Sequence, residues 1–470
     1  MSRHTLLFGW ALALSAALAS GFAGAQASRH ETMAKKPAPG RAIKSQVRAP
    51  KAAARPGKNV ERLTRVNRPA AKEPERASRA AAAKTPAAAV AKMPDRPKDG
   101  IAEARLLEIY RLVGQTETRA ALRLAEKLVT DFPNFALAQL VYGDLLSARS
   151  QTISQFGNVS PEQLKLGAST LDALRIESQM RLRALRERPP AGAVPSELLR
   201  LSVLNKHAIA VDASRARLYL FENQPGGLKL LADYYISIGK LGLEKNAEGD
   251  LRTPLGVYFI TSQLDPKTLK ELYGIGALPI NYPNMLDLKR GKTGKTGKGI
   301  WLHGTPPNQF SRPPQDSDGC VVLANPDLDR IIKTVEIRST PVVISRQLKW
   351  VAPESAKTLG NDFERQLQAW AKAKSDGNLN ALSTFYAADF GLNGKTLTDW
   401  LPELRQEVAE QRGLTLEIKN LNLLHWVDTE ETMVVTFGEL VAGQRTGVTR
   451  RQYWSRKART WKIFYEGVLG

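Results

Sequence analysis

At 470 residues the chain is long enough for two to four domains and too long for one fold. Its formal net charge of +22 would ordinarily point to nucleic acid, but residues 28–98 hold nineteen Lys and Arg against five Asp and Glu, so most of the excess sits in one segment and no nucleic-acid partner is expected. A single cysteine, Cys320, excludes an internal disulfide and leaves either a buried inert thiol or a reactive one.

The N-terminus reads as an export signal over residues 1–25. Arg3 and His4 form a short basic start, Leu6 to Leu18 is apolar, and Ala23-Gly24-Ala25 is a small-residue cleavage site. An uncleaved anchor is the alternative, disfavoured because the apolar run is short for a span of about 20 residues. Residues 26–100 form a basic tether rich in Ala, Pro, Lys and Arg, too poor in apolar residues to offset the entropy of ordering. On an exported chain this tether either lies against anionic envelope surfaces or acts as a solvated spacer. The expected location is the periplasm or cell envelope.

Residues 101–190 carry apolar residues at helical spacing, for example Leu106, Leu107, Tyr110 and then Leu122, Ala125, Leu128. Within them Thr116 to Leu146 is similar to one tetratricopeptide unit, with Asp131-Phe132-Pro133 at the turn; an ordinary helical hairpin fits equally. From Asn205 the period changes to two, through Ala208 to Val211, Arg217 to Phe221 and Leu230 to Ile238, which predicts a mainly β domain over 203–347. After Val351-Ala352-Pro353, three helical segments and then four alternating strands from Leu414 to Tyr465 predict an α+β cone over 355–470. The chain is therefore expected to be multidomain: helical module, mainly β domain, α+β cone.

The candidate chemistry lies in the β domain. His303 and Cys320 are seventeen positions apart, in Trp301-Leu302-His303-Gly304-Thr305 and Ser317-Asp318-Gly319-Cys320-Val321. An imidazole beside a thiol removes its proton and stabilises the thiolate, lowering the thiol pKa. Gly319 lets the backbone approach a substrate carbonyl, so the N–H groups of Gly319 and Cys320 are candidate oxyanion donors. His207 and His425 are expected to be ordinary strand residues, and His30 falls in the tether. The run Gly291 to Gly299 suggests a phosphate loop, but no glycine stands five positions before Gly294 or Gly291, so it is taken as a loop beside the site. No metal-ligand cluster exists, and neither a metal nor a cofactor is expected.

Taken in order, Thr253-Pro254-Leu255-Gly256, His303-Gly304-Thr305 and Ser317-x-Gly319-Cys320 resemble the L,D-transpeptidase (YkuD) catalytic domain, over about 145 residues. The resemblance implies that Cys320 attacks the amide before the fourth-position D-alanine of a peptidoglycan stem, releasing D-alanine and leaving an acyl-enzyme. It implies His303 as base and then acid, with the Gly304 carbonyl orienting the imidazole, and Thr305, Ser317 and Asp318 near the substrate. Two positions depart from the family pattern: Asp318 stands where histidine is common and Val322 where arginine is common. A carboxylate beside the thiol raises its pKa, and loss of the arginine removes an anchor for the substrate carboxylate, which Arg312 is placed to replace from the intervening loop.

Residues 355–470 resemble the SnoaL-like, or nuclear transport factor two-like, cone, through Trp370, Leu382 to Tyr386, Phe390 and Trp461 to Gly467. These aromatic positions are either core or the lining of a ligand pocket. A YkuD domain followed by such a cone also resembles the L,D-carboxypeptidases that trim stems to set cell shape. An L,D-transpeptidase making 3-3 cross-links or attaching the stem to another amine, a carboxypeptidase using water, and a non-catalytic wall-binding scaffold are thus the three readings. The helical module or cone is expected to serve a homodimer contact or an envelope protein.

Overall fold

The computed structural model describes residues 99–290, 299–392 and 395–469. The export signal, the basic tether as far as residue 98 and most of the Gly- and Lys-rich loop lie outside the described residues; Asp99 and Gly100, assigned to the tether, are buried, and Asp99 pairs with Arg188 at 2.5 Å.

Four helices open the described chain: α1 Ile101–Gly114, α2 Thr118–Asp131, α3 Ala136–Ser147 and α4 Pro161–Arg186. Their buried stripes follow the helical period, as in Ala121, Ala125 and Leu128 on α2 and Leu137, Val141 and Leu145 on α3. Helix α4 starts at a capping box: the Ser160 hydroxyl accepts from Gln163 N at 3.3 Å and the Gln163 side chain accepts from Ser160 N at 3.2 Å, with Pro161 at the first helical position. One helical hairpin cannot enclose a core alone. Here Phe310 and Ala324 of the β domain enter the apolar cluster of the helices and complete it.

The β domain is built on a nine-stranded sheet. Its strands are β3 His207–Asp212, β4 Arg217–Gln224, β5 Gly227–Gly239, β6 Gly256–Phe259, β7 Ala277–Pro279, β8 Trp301–His303, β9 Gln315–Ser317, β10 Val321–Leu323 and β11 Pro341–Ser345, following two short strands β1 Val194–Pro195 and β2 Leu198–Arg200. Eight of the nine run in the order β6-β11-β3-β4-β5-β10-β8-β7, and β9 pairs with β5. Both sheet faces are covered, so alternation here separates two cores rather than core from water. Ile209, Val211, Leu218 and Leu220 face one cluster with Ile331 and Val342, while Ala208, Ala210, Tyr219 and Phe221 face another shared with Leu424, Trp426, Val434 and Phe464 of the C-terminal domain.

A buried ionic network fixes the helices on this sheet. Arg217 on β4, only 2% exposed, donates from Nη1 to both Glu103 oxygens at 2.8 Å and from Nη2 to Asp233 at 2.9 Å. Arg181 on α4 bridges Glu103 at 2.8 Å and Glu177 at 2.7 Å. Removing one partner of such a network leaves an uncompensated buried charge, at a cost of about 3–5 kcal/mol, so the network specifies a single docking geometry.

The C-terminal domain comprises α7 Pro353–Ser375, α8 Leu379–Ser383 and α9 Leu397–Gln411, then β15 Leu416–Val427, β16 Glu431–Val441, β17 Val448–Lys457 and β18 Thr460–Leu469. Two short helices, α5 Met285–Arg290 and α6 Asn325–Ile332, belong to the β domain, and β12 Trp350–Val351, β13 Gly391–Leu392 and β14 Lys395–Thr396 complete the elements. The expected α+β architecture is present. Trp370, Tyr386, Phe390 and Trp400 fill its core, and Trp370 Nε1 donates to the Tyr386 hydroxyl at 3.2 Å. Of the aromatic positions singled out in the sequence, Trp370, Tyr386 and Phe390 are core residues.

Strand order β18-β17-β16-β15-β2 shows that Leu198–Arg200, ahead of the β domain in sequence, closes the C-terminal sheet. The turn before it buries Glu197, whose pKa is pushed up from 4.5 to about 7 by loss of water, with no cation among its causes. A raised folded-state pKa means that the folded chain holds more protons than the unfolded chain between the two values. The stability contribution is therefore present below about pH 4.5 and lost as pH rises through about 7. Glu197→Gln is expected to raise stability at pH 8 by about 2–3 kcal/mol and to change it little at pH 4, measured by urea unfolding at both values. An equal effect at the two pH values would refute the assignment.

Candidate functional site

Strands β8 and β10 run parallel in register, Leu302 opposite Val321 and His303 opposite Val322. Extending that register by one residue sets Cys320 opposite Trp301. Alternation along parallel strands then sends the His303 and Cys320 side chains to the same sheet face, offset by two residues, while Leu302 and Val321 enter the core behind.

His303 is 3% exposed, and its Nδ1–H donates to the Gly304 carbonyl at 2.7 Å. That bond leaves Nε2 as the nitrogen free to accept a proton. The Tyr273 ring meets the imidazole edge-on at 5.0 Å, and the Tyr273 carbonyl accepts from Gly304 N at 3.1 Å. Behind Gly304, Asn325 at the start of α6 donates to the Thr305 carbonyl at 2.8 Å and accepts from Thr305 N at 3.2 Å. A Cβ on residue 304 would stand 2.0 Å from Asn325 Oδ1, so glycine is required by close approach.

Cys320 is half-buried and its thiol faces the Gly299 carbonyl at 3.7 Å; among the described residues it forms no hydrogen bond to His303. The turn before it is tightly tied. Ser317 Oγ donates to the Cys320 carbonyl at 2.6 Å and accepts from Gly319 N at 3.1 Å, and Thr253 Oγ1 donates to the Gly319 carbonyl at 2.8 Å. Gly319 has φ +123°, and a Cβ there would lie 2.7 Å from the Arg252 carbonyl.

Burial favours the neutral form of both groups. Desolvation lowers the His303 pKa to about 4, opposed by its Gly304 bond and assisted by the Arg312 charge. Desolvation raises the Cys320 pKa to about 11; the Trp301 amide and the charges of Lys245 and Arg312 pull it down, and Asp318 pushes it up. The lowering expected from an adjacent imidazole is absent, because the two side chains are not hydrogen-bonded and burial dominates.

The remaining candidates divide by burial. Thr305 and Ser317 are 1% and 2% exposed, with hydroxyls bonded to the Phe310 carbonyl and the Cys320 turn, so neither presents its side chain to a ligand here. Gly319 N, expected as an oxyanion donor, is already bonded to Ser317 Oγ. Asp318 is exposed and paired with Lys240 at 3.2 Å. Arg312 is half-buried, and its guanidinium donates from Nη1 to the Asp316 carbonyl at 3.2 Å. Tyr273, Asn325 and the role of Thr253 were not anticipated; the only advance signal was the presence of Thr253 in the first motif block. His207 and His425 are each paired with a glutamate, Glu336 at 2.9 Å and Glu431 at 3.0 Å, away from the site.

A thiol and an imidazole on one face of a sheet are the side chains of a cysteine-enzyme site. Residues 206–344 match the family model of the L,D-transpeptidase catalytic domain (YkuD), and residues 362–467 match that of the Cds6 C-terminal NTF2-like domain. A search of curated proteins finds no match. Among solved structures the chain is similar to Bd1075 of Bdellovibrio bacteriovorus, at 23% identity over 59% of this chain and 98% of that one, with a TM-score of 0.50. It is also similar to the helical cell shape determining protein Pgp2 of Campylobacter jejuni, at 21% identity over 58% and 95%, with a TM-score of 0.47. The likeness to Bd1075 is one of fold.

Proposed function

We propose that the protein is an exported cysteine enzyme that cleaves the terminal D-alanine from peptidoglycan tetrapeptide stems through a Cys320 acyl-enzyme. The observation that carries this reading is the His303 imidazole, held by the Gly304 carbonyl with Nε2 free, on the sheet face that also bears Cys320 in a YkuD domain. As Sγ attacks the carbonyl of the third residue, its proton passes to Nε2, a C–S bond forms, and the oxygen becomes an oxyanion. The Cys320 amide is the donor assigned to that oxygen, since Gly319 N is engaged elsewhere. Collapse breaks the C–N bond, and the imidazolium protonates the leaving D-alanine amine. Arg312 anchors the carboxylate of that D-alanine.

Water is taken as the acceptor because a YkuD domain followed by an NTF2-like cone resembles the stem-trimming L,D-carboxypeptidases, and both domain matches are present in that order. It attacks the thioester, gives its proton to His303, and releases a tripeptide stem and the free thiol. An amine of a second stem in place of water would give the cross-linking L,D-transpeptidase.

The test is incubation of the protein lacking residues 1–25, beside its Cys320→Ala variant, with disaccharide-tetrapeptide, and resolution of the products by mass. Tripeptide formed only by the wild type supports the carboxypeptidase, and cysteine-dependent dimers that have lost one D-alanine establish the transpeptidase. Unchanged tetrapeptide would eliminate stem catalysis and leave the wall-binding scaffold.

A further inference from the structure

We propose that the helical module is a working part of this site: through Phe310 and Ser311 it sets the Arg312 guanidinium to receive the terminal carboxylate of the stem. The proposal rests on the stem-peptide reading above and adds the elements that determine recognition of the substrate's end.

Residues 304–314, between β8 and β9, carry no helix or strand, so their shape depends on what holds them. The ends of the segment are held by the β domain, through Tyr273 and Asn325 at Gly304 and Thr305 and through Ile238 N at the Pro314 carbonyl, while its middle is held by the helical module. Phe310 is 4% exposed and its ring stacks on Phe135 at 4.3 Å, with Phe132 edge-on at 5.5 Å. Phe310 N donates to the Asn134 carbonyl at 3.1 Å, and Asn134 Nδ2 donates to the Pro307 carbonyl at 2.9 Å. Ser311 Oγ donates to Glu177 at 2.7 Å, the same carboxylate that Arg181 holds. The two residues directly before Arg312 therefore belong to the packing of the helical module. On the other side, the Tyr235 hydroxyl of β5 donates to the Arg312 carbonyl at 2.9 Å.

What this frame presents is a guanidinium without a counter-ion. The deeply buried arginines of the ionic networks, Arg181, Arg217 and Arg450, each meet two or more carboxylates; Arg312 is half-buried. Arg312 meets none among the described residues; Nη1 reaches the Asp316 carbonyl, and Nε is buried with no acceptor. An unsatisfied buried donor on a planar cation, close enough to influence both His303 and Cys320, fits a carboxylate in the paired-donor geometry that arginine favours. Phe310, Ser311, Phe135 and Glu177 are then positioning residues.

The discriminating measurement is binding of two stems to the Cys320→Ala protein by calorimetry, which does not depend on turnover. One stem is the tetrapeptide with a free terminal carboxylate, and the other is its terminal carboxamide. A tighter Kd for the carboxylate by about tenfold or more is expected, collapsing toward one in Arg312→Gln. Ser311→Ala, which spares the apolar contacts, and Phe310→Ala are each expected to reduce the preference by about threefold or more, with Phe310→Tyr restoring it. Equal weakening of both stems, or an unchanged preference in the loop variants, overturns the positioning role. Failure of either stem to bind overturns it as well. Binding with the full preference and no turnover by the wild type would instead count against the catalytic reading alone.

Discussion

Replacing His303 by alanine is expected to lower kcat/KM on the tetrapeptide by about 10²- to 10⁴-fold while leaving stem binding within about twofold. The imidazole has one free nitrogen, because Nδ1–H is committed to Gly304, and that nitrogen is unprotonated over the neutral range since burial holds its pKa near 4. A base already in its reactive form predicts a particular pH profile. The rate should vary little between about pH 5 and 8 and fall only as the imidazole takes a proton below about pH 4, since a lowered pKa moves the acid limb downward. A wild-type acid limb centred near 6.5 would show the imidazole to be solvated in the working enzyme. Turnover unchanged in His303→Ala would remove it from the chemistry.

The architecture was readable because each domain writes a different period: helical stripes before residue 190, alternation from Asn205, and helices followed by alternation after Pro353. The pattern could not reveal β2. Three residues are too few to show alternation, and Leu198–Arg200 joins strand β15, more than two hundred positions away. The same non-locality hid the supports of the site. Asn325 brackets Thr305 across twenty positions, and Tyr273 reaches Gly304 across thirty-one; neither belongs to a motif block. Spacing brought out His303 and Cys320 because a lone thiol and an imidazole have recognisable chemistry, whereas Arg312 was reached through the resemblance, as a stand-in for the arginine whose place Val322 takes. Spacing could not report their desolvation, which depends on everything packed around them, and so the direction of the thiol shift came out opposite to expectation.

That reversal leads to the second large effect. Alkylation of the ligand-free protein by iodoacetamide is expected to be slow at pH 7 and to rise about tenfold per pH unit toward pH 10, with no neutral plateau. At a pKa of about 11 roughly one thiol in 10⁴ is ionised at pH 7, against a few per cent for an ordinary cysteine, a suppression of about 10²-fold only partly offset by the greater nucleophilicity of a more basic thiolate. Because the thiol and the imidazole are not hydrogen-bonded, His303→Ala should leave the alkylation rate at pH 7 within about threefold even as it lowers kcat/KM by about 10²- to 10⁴-fold. Asp318→Asn should speed alkylation, since that carboxylate is among the charges that raise the thiol pKa. Such a profile would make thiolate formation a consequence of substrate binding, with proton transfer to Nε2 concerted with attack rather than completed beforehand. Fast alkylation at pH 6 that disappears in His303→Ala would instead establish a preformed thiolate–imidazolium pair. Cys320 would then have to turn from the Gly299 carbonyl toward the imidazole before any stem arrives.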